Sequence, residues 1–534
     1  MKKILIFLIY LISFLPFFIS AKELELQFQK SWGGSNFDFF NSGIVTTDGN
    51  IVVVGGTNSS DADGIVSNGD RDAIIVQYDK NGNLIWQKNW GGNNLDSFGH
   101  VIEGTDGFYY VVGYFNSTNI DGVVNNGDSD IIILKYDISG NLIWEKSFGG
   151  SREDTSAKIL EVNDGLIIIG KYWSTDIDGL TNKGRYDCLL LKIDFDGNLI
   201  WKKGWGGNSG EFFNDIKIDK NGNIVIVGKY DSTDIDNHPL VGSYDAIVIK
   251  LDSDGEYLWS KSLNSSATEG FNTINISNDN EYIISFESRG GDAGNNFPCG
   301  VIKYDENGNI LSTKKIDIEN LFISSSIKFD NNSVFSIGDL TLLVQTDAGN
   351  KVDVEGVILN VTNDGEVILN KLWGGSGSES FKNVFSDSKN NIYIVGYTSS
   401  LDIDGLNNYG SGDSFLLKFS YIYDINLNDN VKNGKVSLEQ NDGLGFIKTT
   451  PDEGYEINTI VIKDIAGNVI EFDKLEDGLY SFDLYDDVSI EVTFKEVLTN
   501  PKTGVISSIV FIPAIMFLLM CVYFIKKCEH SYEI

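Results

Sequence analysis

Histidine, cysteine and proline are all scarce in this chain, at three, four and six of 534 residues. Three histidines leave little material for a Ser-His-Asp hydrolase. His530 stands beyond a C-terminal apolar segment, while His100 and His238 occur once each without a counterpart elsewhere, and a lone His100 reads as structural. Six prolines against 57 glycines mean that the turns are made by glycine. Basic side chains are short as well: 41 Lys and Arg against 76 Asp and Glu leave a formal charge of -35. Nucleic acid and anionic membrane surfaces, which need Lys and Arg to meet phosphate, are excluded as partners. The acidity has two readings, plain solubility, or binding of cations or basic surfaces. No stretch shows the 3.6-residue apolar period of a helix.

What the chain has is a repeat. Trp-Gly-Gly stands at Trp32, Trp90, Trp205 and Trp373, with Phe148-Gly-Gly between, and two units without the marker begin near Leu263 and Ile316. Such a period means one supersecondary unit per repeat, stacked because none buries its apolar face alone. In the second unit the strands are expected at 98–104, 108–113, 131–136 and 142–146. Turns at Thr105-Asp106-Gly107 and Ser139-Gly140-Asn141 and a long polar stretch at 115–130 separate them. Third strands such as 73–76, 131–134 and 189–191 are runs of branched aliphatics, as in a strand covered on both faces. Four strands per repeat in a radial array make a β-propeller. Cys188 and Cys299 share one place in their third strands, held elsewhere by Ala73, Ala246 and Ser414. They read as small buried residues too far apart for a disulfide.

The ends of the array predict how it closes. The seventh unit stops after its third strand, 415–419, and the missing fourth strand is found at 26–32, which aligns with 142–148 and has Phe28 where that unit has Trp144. Such a strand pairs two edges that otherwise invite aggregation. The expected fold is all-β: a seven-bladed β-propeller over residues 22–421 closed by an N-terminal strand, then a small β-rich module over 422–496, then a transmembrane segment.

The long loop between second and third strands carries a polar pattern. It reads Asp61-Ala62-Asp63-Gly64, Asn119-Ile120-Asp121-Gly122, Asp176-Ile177-Asp178-Gly179, Asp234-Ile235-Asp236 and Asp402-Ile403-Asp404-Gly405, and each copy leads to a further acid at Asp72, Asp130, Asp187, Asp245 or Asp413. Another acid stands six residues into most units, at Asp38, Asp96, Asp154, Glu211, Glu269 and Glu379. Both segments belong to one face of a propeller, which is expected to be densely acidic. Ca²⁺ takes about six to eight oxygens from flexible loops. Calcium is therefore the candidate ligand of Asp61, Asp63, Asp121, Asp176, Asp178, Asp234, Asp236, Asp402 and Asp404. The alternative is that Asp72 and its counterparts begin strands while the other acids shape Asx-turns. Units five and six lack the pattern.

Both termini read as targeting signals. Met1-Lys2-Lys3, an apolar run over 4–19 and Ile19-Ser20-Ala21 form a signal peptide over 1–21, with no following cysteine for a lipid anchor. Near the other end, Asn500-Pro501-Lys502-Thr503-Gly504 precedes an uncharged run over 505–525, which contains Cys521. Lys526 and Lys527 follow, at the start of a short tail over 526–534 that includes Cys528. Twenty-one residues at ~1.5 Å each cross a ~30 Å hydrocarbon core, and the lysines hold the tail inside.

Several of these segments resemble known families. Whole units are similar to the Trp-Gly-Gly propeller repeats of bacterial surface proteins. Asp79 to Trp86 and Asp194 to Trp201 resemble the tryptophan-docking turn of quinoprotein propellers, which implies a quinone and often a cysteine pair. Neither the pair nor quinone-binding residues are present, so Trp86, Trp144, Trp201 and Trp259 read as packing between blades. Pro451-Asp452-Glu453-Gly454-Tyr455, with Gly467 beyond, resembles internalin B-repeat modules and implies a spacer or adhesive unit. Asn500 to Gly504 with its apolar run resembles a sortase sorting signal, which implies cleavage after Thr503 and joining of Thr503 to peptidoglycan. Asn500 stands where the commonest motif has Leu. A plain membrane anchor is the alternative.

Two function classes follow. The first is a protein on the extracellular face of a Gram-positive-type bacterium, expected to be a monomer. It would be cell-wall anchored or single-pass and would bind a protein or glycan through its loop face as an adhesin does. The second is a carbohydrate-active lyase or hydrolase using propeller carboxylates, whose approach across a ring is not visible in sequence.

Overall fold

The computed structural model describes residues 23–497 except 63, 236, 290–298, 317, 319, 329–332, 347–348, 363–365 and 429–430. The expected signal peptide over 1–21, Asn500 to Gly504, the apolar run over 505–525 and the tail fall outside the described residues. Among the described residues all regular elements are strands, and no helix is long and apolar enough to cross a membrane.

Each of the first six units forms an antiparallel sheet of four strands in chain order. In the second unit the strands are Asp96–Glu103, Tyr109–Phe115, Asp130–Tyr136 and Leu142–Phe148. Expected and observed boundaries differ by a few residues, and the difference is informative. First and third strands begin at a buried carboxylate, Asp96, which accepts from Gly92 N, and Asp130, whose Oδ2 accepts from Asn126 N. Fourth strands run on to the marker, so Trp90 is the last residue of the first sheet and pairs with Ala73. Third strands such as Asp72–Tyr78 and Asp187–Ile193 are buried throughout, whereas fourth strands are largely exposed. The aliphatic third strands are thus covered on both faces, and the fourth strands form the outer rim.

First strands contact one another from sheet to sheet and form the innermost layer. Each carries a register shift at one place: Phe40/Ser42, Phe98/His100, Ser156/Lys158, Phe213/Asp215, Phe271/Thr273, Ile323/Ser325 and Phe381/Asn383. A bulge bends a strand and re-aims its side chains. Here it frees polar side chains to tie neighbouring sheets, as where Asn41 Nδ2 donates to Phe98 O at 2.8 Å and Asn214 Nδ2 to Phe271 O at 2.8 Å. The outer tryptophans reach across as well: Trp86 Nε1 donates to Ile138 O and Trp144 Nε1 to Phe195 O, each in the next sheet's turn. Cys188 and Cys299 are buried and free.

The closing strand is present. Glu23–Trp32 pairs antiparallel with Asp413–Ile422 as the outer strand of the last sheet, with Leu26 opposite Phe419 and Trp32 opposite Ser414. The first sheet in turn packs on the last through Asp38–Val45 against Glu379–Ser386 and Ile392–Thr398. A β-propeller architecture follows from this radial succession. The sixth unit departs from the others, with Ser333–Thr346 and Gly349–Thr362 running on as one long hairpin where the others have the loop.

Residues beyond 424 form two small sheets. One orders Ile425–Leu427, Val488–Glu496 and Tyr455–Asp464, the other Gly434–Asn441, Leu444–Pro451, Leu479–Asp483 and Asp473–Glu476. Their core, with Ile447, Ile462, Tyr480 and Ile490, is continuous with Tyr421, Tyr423 and Phe419 of the last propeller sheet. Lys418 pairs with Asp442, and Asn391 Nδ2 donates to Asp442 Oδ1 at 3.1 Å.

Candidate functional site

The junction between one sheet and the next is built from the marker. After Trp90, the chain turns through Gly91 and Gly92, and Gly92 N donates to Asp96 Oδ2 at 2.8 Å. Ser117 Oγ donates to the same oxygen at 2.6 Å, and the amides of Asn116 and Ser117 donate to Asp96 Oδ1. The same cradle surrounds Asp38 and Asp154, and Glu211 and Glu379 reach into it with a longer side chain. A glycine from the preceding long loop closes over it: a Cβ on Gly69, Gly127, Gly184 or Gly410 would press on the carbonyls of the next turn. Tight backbone approach, rather than unusual φ, excludes a side chain here. The six acids expected on an exposed face are instead buried, Asp38, Asp96 and Asp154 fully so.

Each junction carboxylate meets a second one from the preceding sheet. A Cβ on Gly33 would lie 2.7 Å from both Asp38 Oδ2 and Asp413 Oδ1, and one on Gly91 would lie 2.8 Å from Asp96 Oδ2 and 3.0 Å from Asp72 Oδ1. Gly206 sits likewise between Asp187 and Glu211, and Gly374 between Glu355 and Glu379. Burial, with repulsion from Asp154 and Asp176 added, pushes Asp130 up to about 6. Burial, then Asp38 and Asp61, does the same to Asp413, and burial, then Asp187 and Asp231, lifts Glu211 to about 7.

The loop acids flagged in sequence do something different. Asp61, Asp176, Asp234 and Asp402 are exposed, and each accepts the amide hydrogen of the residue after the two glycines, at 2.7 to 2.9 Å from Ser35, Ser151, Asn208 and Ser376. These bonds hold Asp61 and Asp176 below the usual carboxylate range. Asn119 plays the same part in the second unit, bonded by Asn93. Asp121, Asp178 and Asp404 stand exposed beside them, and Asp63 and Asp236 are outside the described residues. Turn shaping is thus what the first acid of each motif does. No group of three or more His, Cys, Asp and Glu among the described residues is disposed to hold a metal ion by itself.

A second constellation lies on the innermost strands. The residue directly after each bulge is Ser42, His100, Lys158, Asp215, Thr273, Ser325 or Asn383, one register position repeated around the ring. Three consecutive members are titratable. Lys158 Nζ pairs with Asp215 Oδ1 at 2.9 Å, and Asp215 Oδ2 accepts from Ile274 N at 2.9 Å. Burial opposes the Asp215 charge, but Lys158 and Lys217 outweigh it and hold the carboxyl low. Among the described residues His100 Nδ1 has no hydrogen-bond partner, against the expectation of a satisfied histidine, and burial with the charges of Lys158 and Lys217 depresses the ring to about 3. Sequence reasoning missed this set because each member comes from a different unit. The signal available was the repeat alignment itself, read column by column.

No protein-family description matches the chain. Regulatory protein FlaEY of Caulobacter vibrioides is 23% identical over 204 residues, 35% of this chain and 21% of that protein. An uncharacterized WD repeat-containing protein, L264, of Acanthamoeba polyphaga mimivirus is 27% identical over 124 residues, 21% of this chain and 9% of its own length. The chain thus spans a minor part of either relative. Among solved structures, the WD40 β-propeller domain of Doa1 gives a TM-score of 0.42 at 10% identity, covering 75% of this chain and 97% of that one. A Lactobacillus plantarum protein gives 0.36 at 12% identity over 83% and 99%. Drosophila Semaphorin 1b, extracellular domains 1-2, gives 0.39 at 10% over 75% and 88%. The chain resembles repeat proteins of the β-propeller class.

Proposed function

We propose that this chain is a surface-displayed binding protein, an adhesin whose seven-bladed propeller presents its long loops to an extracellular protein or glycan. One observation carries the reading: loop after loop offers an exposed apolar side chain among exposed carboxylates. Val66, Val124 and Tyr409 are 64%, 65% and 63% exposed, each in a loop that also carries exposed acids, Asp70, then Asp121 and Asp128, then Asp404, and Val241 is 56% exposed in the loop of Asp234. Repeated apolar points within a polar surround suit a partner that buries several equivalent contacts. The same reading takes residues 1–21 as an export signal, 422–496 as a B-repeat-like spacer, Thr503 as the site of sortase attachment to peptidoglycan, and 505–525 as the membrane segment. It places a monomeric propeller on the outer face of a Gram-positive-type cell, without a nucleic-acid partner. An array of glycans and extracellular matrix proteins probed with residues 22–496 tests it. Binding lost on Val66→Asp with Val124→Asp supports it, and binding unaffected by both overturns the loop face as the contact.

The second reading, a carbohydrate lyase or hydrolase, is favoured by the unlike groups His100, Lys158, Asp215 and Lys217 gathered on the innermost strands. Depolymerisation of an acidic polysaccharide, lost in Lys158→Ala, is the outcome that would favour it over the first.

A further inference from the structure

We propose that the carboxylate pairs Asp413/Asp38, Asp72/Asp96 and Asp130/Asp154 each hold one divalent cation of the calcium class, seated between adjacent sheets beside the first glycine of the marker. This site is distinct from the exposed loop acids and goes beyond whatever the loop face binds.

The unpartnered oxygens carry the inference. Among the described residues, Asp72 Oδ1, Asp130 Oδ1 and Asp413 Oδ1 are buried without a hydrogen-bond partner, on residues that are 0% exposed. The other oxygen of each is satisfied, accepting from the amide of Asn68, Asn126 or Tyr409 at 3.1, 2.9 and 2.8 Å. Each orphan oxygen points at the marker glycine, where the next sheet's carboxylate also arrives, since one Cβ position on Gly33 or Gly91 touches both. At Gly149 the Cβ position falls on Asp130 Oδ1, and Asp154 Oδ2 accepts the amide of the next residue, Gly150, at 2.8 Å. An ionised carboxylate buried with a bare oxygen is costly, and a second anion beside it adds to the cost. A shared cation removes both penalties.

The fourth junction supplies an internal comparison. Beside Asp187 and Glu211, where other units have Asn68, Asn126 or Tyr409, stands Lys183. Its Nζ donates to Gly206 O at 3.2 Å and its main-chain amide to Asp187 Oδ2 at 3.1 Å; Asp187 Oδ1 has no hydrogen-bond partner among the described residues, like its counterparts, and burial raises this carboxyl while the nearby Lys183 charge works against the rise. An ammonium on the marker glycine of a carboxylate pair shows positive charge accepted at this position. The ligands elsewhere are all hard oxygens, which suits Ca²⁺ over softer metals. Two carboxylates do not fill the ~6–8 positions of Ca²⁺, so main-chain carbonyls and water complete the shell. A Cβ on Gly34 or Gly150 would lie 2.5 Å from Asp61 Oδ1 or Asp176 Oδ1, so an exposed acid stands at the second marker glycine beside two of the three sites.

The experiment uses the full chain in detergent, stripped with EDTA and titrated with CaCl₂ and, separately, MgCl₂, by calorimetry and thermal unfolding. Calcium is expected to bind with a stoichiometry of about three and to raise the melting temperature, because a ligand held only by the native state stabilises it. Asp72→Asn with Asp96→Asn keeps the shape of both side chains and should lower the stoichiometry by one. Lys183→Ala should raise it by one, a gain that no misfolding mimics. Absence of calcium binding to the stripped chain would overturn the proposal. Binding with a stoichiometry indifferent to both variants would overturn the placement and return calcium to the exposed loops.

Discussion

Ser414 Oγ donates to the main-chain oxygen of Trp32 at 2.7 Å, a hydrogen bond across 382 positions of the chain. It sits at one end of the pairing that makes an N-terminal segment the outer strand of the last sheet. Leu24 is buried in the core that this sheet shares with the following module. Deleting residues 22–31 should leave Asp413–Ile422 as an open edge, lower the melting temperature by several degrees and produce oligomers in size-exclusion chromatography. Leu24→Ala alone should cost about 2 kcal/mol, at the low end of the range for a buried leucine. A truncated protein that stays monomeric with an unchanged melting temperature would show that the closure is dispensable.

Ion pairs of very different worth can be ranked in advance. Lys250 Nζ meets Asp219 Oδ2 at 2.9 Å with side-chain exposures of 7% and 0%, and Tyr282 OH and the amides of Asn221 and Asn223 complete the carboxylate's bonds. Asp219→Ala strands a buried ammonium and should cost about 3–5 kcal/mol, measured by denaturant unfolding. Lys474 and Asp477 form a pair that is shorter still, at 2.6 Å, but exposed, and Asp477→Ala should leave stability unchanged. Equal losses in the two variants would mean that burial does not set the value of these pairs.

How much of this was legible in sequence depends on whether a contact lies within one unit or between two. Strand order, turns and the closing strand are written in spacing, since Leu26 to Trp32 can be aligned with Leu142 to Phe148. Asp38 and Asp413 were visible as acids, but their burial was not. It results from Gly410 lying against the turn at Gly34, a contact between the two ends of the repeat array. His100, Lys158 and Asp215 escaped for a different reason. A one-residue bulge reverses which face the following residues point to, and alternation read from sequence assumes that no bulge is there. The long hairpin of the sixth unit was equally hidden, because 339–356 lacks the loop's Asp-Gly signature.

His100 makes a prediction with a definite sign. Its folded-state value of about 3 lies below the ordinary 6.5, so the unfolded chain binds the proton more readily. Stability attributable to this residue should fall as pH drops below about 6.5 and level off near 3. The charges facing it are Lys158 and Lys217, which deepen the effect, and Asp215, which opposes it. Comparing urea midpoints of wild type and His100→Gln at pH 7 and pH 4.5 isolates the term from the rest of the protein. The wild type should lose more than the variant, and parallel losses would place the ring in a solvated, freely protonating environment.

Anchoring through Thr503 yields the prediction on which the surface reading turns. A sortase needs its motif outside while an apolar run and a basic tail halt export, and the order Asn500 to Gly504, 505–525, Lys526 and Lys527 meets that need. No proline-rich stalk lies between Glu496 and the motif, so the propeller would sit close to the wall and be partly masked by it. Thr503→Ala should move the protein from the muramidase-released wall fraction to the membrane fraction, with a mass larger by the retained tail. Because Thr503 lies beyond the last core residue of the module, Val492, the change should leave the melting temperature untouched. Wild-type protein found only in membranes, with residues 505–534 still attached, would replace wall attachment with a simple transmembrane anchor.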